Sequence, residues 1–241
     1  MKKPYEYYPT GIDWNLFLNE IDLLHGDKPV YIPNFLPNPE KYCNFIEVER
    51  MLNTQAVEWK LAGNEDNKDI SINIPEYLDQ FNDPYQCKQT ISEGIKNGFT
   101  FFMRGYSFQN PYINALCAEI DDLFSCNSEG IVFGSKVGID NSFTPHTDPD
   151  PIFAFQIEGN ITWTLFDNKC TGLYSRRYIN NTRDINKLTN PTPYNLSPGD
   201  FLYVPTRTYH KIKVKEPRLT LSVANFNEMY TSKADRNYYQ I

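Results

Sequence analysis

The sequence predicts a mainly β protein. An α/β segment over residues 1 to 128 wraps a jelly-roll core, an antiparallel double-stranded β-helix over residues 129 to 228, and a tail follows at 229 to 241. Three observations predict this. After Gly130 the chain breaks into short apolar runs separated by Gly, Pro, Asn and Asp, the pattern of a sandwich or barrel. Before that point, apolar residues at three-four spacing mark helices. Aromatic residues are abundant, with 17 Tyr and 16 Phe, enough to fill a β-rich core.

Taken in order, residues 5 to 10 read as an aromatic arm on the surface. Asp13 caps a helix whose apolar positions are Trp14, Phe17, Leu18, Ile21 and Leu24, ended by Gly26. A short strand over 28 to 33 comes next, then a helix begun by Asn38-Pro39-Glu40 and running to Leu52. Residues 63 to 69 read as a polar loop, and a helix is expected from Glu76. A buried strand at 100 to 104 precedes the clearest helix, begun by Asn110-Pro111. Its stripe is Ile113, Leu116, Cys117, Ile120, Leu123 and Phe124. The core strands are expected at 131–133, 136–139, 152–157, 162–166, 200–204, 211–214 and 219–223, with Glu158-Gly159-Asn160 as a hairpin turn.

Composition excludes several classes. A formal net charge of −7 argues against a nucleic-acid partner, which needs a basic footprint. No run of apolar residues is long enough to cross a membrane, and no apolar stretch follows the two N-terminal lysines. The 5 cysteines are scattered without CxxC pairing and read as reduced thiols. A cytoplasmic protein with no membrane partner is expected, and nothing in the sequence sets an oligomeric state.

The chemistry concentrates at His146-Thr147-Asp148. Residues two apart on a strand share a face, which sets an imidazole beside a carboxylate. His210, after the run Ser197-Pro198-Gly199-Asp200-Phe201-Leu202-Tyr203-Val204-Pro205, supplies a second imidazole. Only 3 histidines occur, and two of them stand here. Two His and one carboxylate form the facial triad of non-haem Fe(II) oxygenases.

These residues carry a family resemblance. PH-x-D from Pro145, then F-x2-Q-x-EG-x3-W-x-L-x-D to Asp167, and later L-x-PGD-x-LYVP-x4-H with EP-x-L-x-LSV, resemble the Jumonji-C and ribosomal-oxygenase branch of the cupin-type, Fe(II)- and 2-oxoglutarate-dependent oxygenases. The resemblance implies His146, Asp148 and His210 as catalytic iron ligands, with 2-oxoglutarate as cosubstrate, succinate and CO2 as coproducts, and hydroxylation of a peptide, protein or small-molecule substrate. One departure stands out. In that family a Lys or Arg about fifteen residues beyond the first iron-binding His anchors the far carboxylate of 2-oxoglutarate, and here that position is Ile161. Arg218 is the substitute, with Thr220 on the same strand face. Lys136 is an alternative anchor, and Thr144 and Tyr203 are further hydrogen-bonding candidates. Arg176, Arg177 and Tyr178, in the basic stretch between the ligand strands, are candidates for binding an acidic or peptide substrate. The aliphatic residue at 161 keeps open the alternative of a non-catalytic, metal- or ligand-binding cupin protein.

Overall fold

The computed structural model describes residues 2–21, 27–54, 57–65, 68–74, 84–136, 145–148, 150–169 and 187–226. Helix α1, Trp14–Leu18, is capped by Asp13, whose side chain accepts from the Asn15 N–H. It is shorter than the apolar spacing suggested: the chain turns at Asn19, and Leu24 and Gly26 lie outside the described residues. Strand β1, Val30–Ile32, and a 3-10 turn at Pro39–Lys41 lead to α2, Phe45–Thr54. Strands β2, Glu58–Glu65, and β3, Lys68–Ile74, pair where a polar loop was expected. Their polar residues had masked a hairpin at the outer edge of a sheet. Helix α3, Pro84–Lys96, follows; residues 75–83, where its start was expected, lie outside the described residues.

Strand β4, Thr100–Arg104, precedes α4, Pro111–Phe124. The Asn110 side chain caps α4 by accepting from the Tyr112 and Ile113 N–H groups. Ile113, Leu116, Cys117 and Ile120 are buried as the spacing requires, whereas Leu123 is exposed. The jelly roll then runs through β5, Asn127–Ser135; β6, Ile152–Glu158; β7, Ile161–Lys169; β8, Thr192–Leu196; β9, Phe201–Val204; β10, Thr208–Val214; and β11, Arg218–Phe226. Strand β5 ends before Lys136, so the separate strand expected at 136–139 is not seen at Lys136; 137–139 lie outside the described residues.

Two antiparallel sheets result. The larger has the order β1-β9-β6-β11-β5-β4-β2-β3 and the smaller β10-β7-β8. The Glu158–Asn160 turn is therefore not a hairpin: β6 pairs with β9 and β11, whereas β7 pairs with β10 and β8. The chain crosses there from one sheet to the other. Gly159 takes φ +70°, and a Cβ on it would run into the Pro217 carbonyl oxygen.

Strand alternation divides the interior in two. Phe153, Phe155, Phe201, Tyr203, Leu219 and Leu221 face a core built with the N-terminal helices. Ile152, Ala154, Leu202 and Val204 face Ile161, Trp163, Leu165, Ile212 and Val214 of the smaller sheet. Strands β6 and β9 are thus buried on both faces, which is why they read as continuous apolar runs rather than alternating ones.

Phe17 shows how α1 belongs to the fold. It is fully buried and makes ring contacts with Phe124, Phe153 and Phe201 at 6.0, 5.7 and 5.3 Å. Phe17→Ala is expected to destabilise the protein by about 3–5 kcal/mol, measured by urea unfolding. A loss below ~1 kcal/mol would show α1 to be dispensable decoration. Among the described residues, no helix is long and apolar enough to cross a membrane. The thiols of Cys43 and Cys117 are pushed up to about 12 by burial, consistent with unreactive, reduced side chains.

Candidate metal centre

The site is assembled by a single rung of backbone pairing. His146 and His210 form an isolated antiparallel bridge, not part of a strand at residue 146. The His146 N–H donates to the His210 carbonyl at 3.0 Å, and the His210 N–H donates back at 2.8 Å. Residues paired this way point their side chains to the same face, and the two imidazole centroids stand 4.4 Å apart. Two residues on, the Arg207 N–H donates to the Asp148 carbonyl at 2.9 Å, clamping the segment against the turn before β10. One ligand atom from each of His146, Asp148 and His210 then lies within 4.8 Å of the others.

Protonation follows from the partners. His210 Nδ1 lies 3.0 Å from the Thr208 carbonyl oxygen, which can only accept, so Nδ1 carries the proton and Nε2 presents a lone pair. Burial, reinforced by the neighbouring His146, lowers the His210 pKa to about 4, so the ring is neutral at pH 7. That lone pair faces Asp148 Oδ2 at 3.5 Å. Two acceptors converging at this distance call for a cation between them, and neutral imidazoles with one carboxylate are the donor set of a facial triad. The site is sealed on one side and open on the other. His210 is 1% exposed, with the Trp163 ring 5.4 Å from it, whereas the Asp148 side chain is 42% exposed.

On β11 of the larger sheet lies Arg218, 1% exposed. Its Nη1 donates to the Phe133 carbonyl at 3.1 Å and to Thr220 Oγ1 at 3.2 Å. Nε and Nη2 are buried and have no partner among the described residues. Burial pulls the guanidinium down to about 10, so it remains a cation at pH 7, with no counter-charge among the described residues. Ser135, its cross-strand neighbour on β5, is likewise buried with an unpartnered hydroxyl, and so is the indole N–H of Trp163. Buried polar atoms rarely go unsatisfied. The open Nε and Nη2 of Arg218 have the donor chemistry that an anionic group requires.

Other expected site residues fall elsewhere. Tyr203 points to the helix-side core, with ring contacts to Phe17 and Phe153 at 5.4 Å each, because Leu202 and Val204 take the interior face of β9. Lys136 sits at the surface in a 2.9 Å ion pair with Glu49 of α2. The Thr220 hydroxyl donates to Gln156 Oε1 at 2.8 Å, so its one proton is not available to a cosubstrate. Thr144, Arg176, Arg177 and Tyr178 lie outside the described residues. Sequence reasoning missed Ser135 and Gln156. A lone Gln in the apolar run IFAFQIE of β6 was the available signal; nothing local distinguished Ser135.

Fold and site together define a jelly-roll protein with a His-x-Asp…His centre and a buried cation beyond it. The sequence model of the JmjC domain family matches residues 108–233, and the chain belongs to that family. Over 131 residues it is 28% identical to the bifunctional lysine-specific demethylase and histidyl-hydroxylase NO66 of Drosophila simulans, covering 51% of this chain and 15% of that protein. The ribosomal oxygenase YcfD of Escherichia coli has the same fold, with a TM-score of 0.63 at 17% identity over 90% of this chain and 52% of that one. YcfD in complex with cobalt and 2-oxoglutarate matches equally, at TM-score 0.63 and 18% identity, over 94% and 56% of the two chains. The chain thus spans about half the length of YcfD.

Proposed function

We propose that this protein is an Fe(II)- and 2-oxoglutarate-dependent oxygenase that hydroxylates a residue of a protein or peptide. One observation carries the proposal: the same jelly roll holds a converged His146, Asp148, His210 donor set and a buried Arg218 with an open N–H fork. A metal with a 2-oxo dicarboxylic acid satisfies both. The three protein ligands would hold iron and leave positions for the keto-acid end. The Arg218 Nε–Nη2 edge would take the far carboxylate in a bidentate pair, with Ser135 as a further donor, in place of a basic residue at position 161. When bound, iron and 2-oxoglutarate supply the oxidising chemistry. The chain positions it: the Thr208 carbonyl holds the His210 tautomer, and the apolar walls of Ile161, Trp163 and Ile212 exclude water.

The exposed side of Asp148 faces the approach of substrate. A protein substrate is supported by the names of the relatives, a histidyl-hydroxylase and a ribosomal oxygenase. In this reading Arg176, Arg177 and Tyr178 contact an acidic peptide by charge and stacking. The test is spectroscopic. Anaerobic Fe(II) protein is expected to develop a metal-to-ligand charge-transfer band on addition of 2-oxoglutarate, and to form succinate on admission of oxygen. Protein that holds iron but gives no band and no succinate would be a metal-binding cupin, not an oxygenase.

A further inference from the structure

We infer that Gln156 and Thr220 are positioning residues for the cosubstrate, acting through Arg218 by fixing which edge of its guanidinium faces the barrel interior. The inference rests on Arg218 being the carboxylate anchor. The three side chains form a directed relay across β6 and β11, and each is at most 2% exposed. It starts at the crossing between the sheets. Gln156 Nε2 donates to the Glu158 carbonyl at 2.8 Å and to the Gly159 carbonyl at 2.9 Å. A flipped amide would set its oxygen against both carbonyls, so Oε1 must point the other way, toward Thr220. Oε1 can only accept, and it takes the single Thr220 hydroxyl proton at 2.8 Å. What remains on Thr220 Oγ1 is lone pairs, and one of them receives Arg218 Nη1.

The second Nη1 contact, the Phe133 carbonyl, completes the saturation of that nitrogen. The Nε N–H and the two Nη2 N–H bonds are left, and on a planar guanidinium the Nε N–H runs parallel to one of the Nη2 pair. Parallel donors match the two oxygens of one carboxylate, here the far carboxylate of a 2-oxo dicarboxylic acid. Without the relay the Thr220 proton is free to rotate toward Arg218, where it opposes the Nη1 hydrogens. The fork then loses its fixed direction. Gln156 and Thr220 do not touch the cosubstrate in this arrangement, since their hydrogen-bonding groups facing the network are already used.

The test is anaerobic titration of the Fe(II) protein with 2-oxoglutarate, followed by turnover at saturating cosubstrate. Thr220→Val, isosteric but without the hydroxyl, and Gln156→Met are each expected to raise the Kd about tenfold while kcat is retained. Thr220→Ser, which keeps the hydroxyl, is expected to return the Kd to within about twofold of wild type. Placed on Arg218→Ala, neither Thr220→Val nor Gln156→Met should weaken binding further, because the residue they act through is gone. Additive losses on Arg218→Ala, or an unchanged Kd in Thr220→Val, would overturn the relay. A Kd unchanged by Arg218→Ala itself would overturn the anchor and the relay together. If Gln156→Met does not fold, the Thr220 series decides alone.

Discussion

His210→Ala is expected to abolish metal binding and, with it, all oxygen-dependent conversion of 2-oxoglutarate to succinate. The loss should exceed the roughly 10- to 100-fold that removing a residue behind a metal ligand costs, because a donor itself is removed and Asp148 and His146 are left as two exposed-side ligands. His210 is the buried member of the set and its tautomer is fixed by Thr208, so it is the most preorganised of the three. The measurement is direct. The Trp163 ring lies 5.4 Å from the His210 ring, so Co(II) or Fe(II) entering the site should quench its fluorescence. In His210→Ala the quench should vanish while the circular dichroism spectrum is kept. Retained stoichiometric metal binding would move the centre to other donors.

Arg218→Met is expected to separate function from stability. Removing the fork should raise the Kd for 2-oxoglutarate roughly 100-fold, the scale of losing a buried, charge-assisted pair. The same substitution should leave the ligand-free protein more stable. Burial pulls the guanidinium down to about 10, because its charge is held at a desolvation cost. A similar-sized apolar side chain does not carry that cost, and replacing buried charge by packed hydrophobic side chains commonly stabilises by roughly 1–4 kcal/mol. The lost contacts to Phe133 and Thr220 offset part of this gain. Thermal unfolding with and without 2-oxoglutarate checks both halves. The wild type should be stabilised strongly by ligand, and the Met variant should start higher and respond little. A variant that is less stable and still responds to ligand would show Arg218 to be a structural residue.

Ion pairs such as Lys136 with Glu49 and Arg50 with Glu47 carry little of the fold's stability. They are half-exposed or more on at least one partner, where screening by water leaves such pairs worth little. The buried Arg218 differs in kind because it is 1% exposed and no carboxylate among the described residues pairs with it. That contrast sets Arg218 apart from the surface cations and is what the proposed anchor role rests on.

By itself the sequence determined the residue chemistry and the local periodicity. His-x-Asp with a later His, in a chain of 3 histidines, named the ligand set. The stripe of α4 and the short strands after Gly130 placed the helix and the jelly roll, because spacing reports which residues share a face. Tertiary structure decided which face is the interior. Tyr203 and Leu202 are adjacent on one strand, yet one meets Phe17 and the other the barrel lining, since that choice depends on what packs against each side of the sheet. Likewise, Glu158–Asn160 crosses between sheets because the pairing partners of β6 and β7 come from distant segments. The open edge of Arg218 was beyond any local reading. It exists because Phe133 and Thr220, from different strands, saturate one nitrogen, with Gln156 of a third strand holding the Thr220 proton, and leave the other two nitrogens without a partner among the described residues.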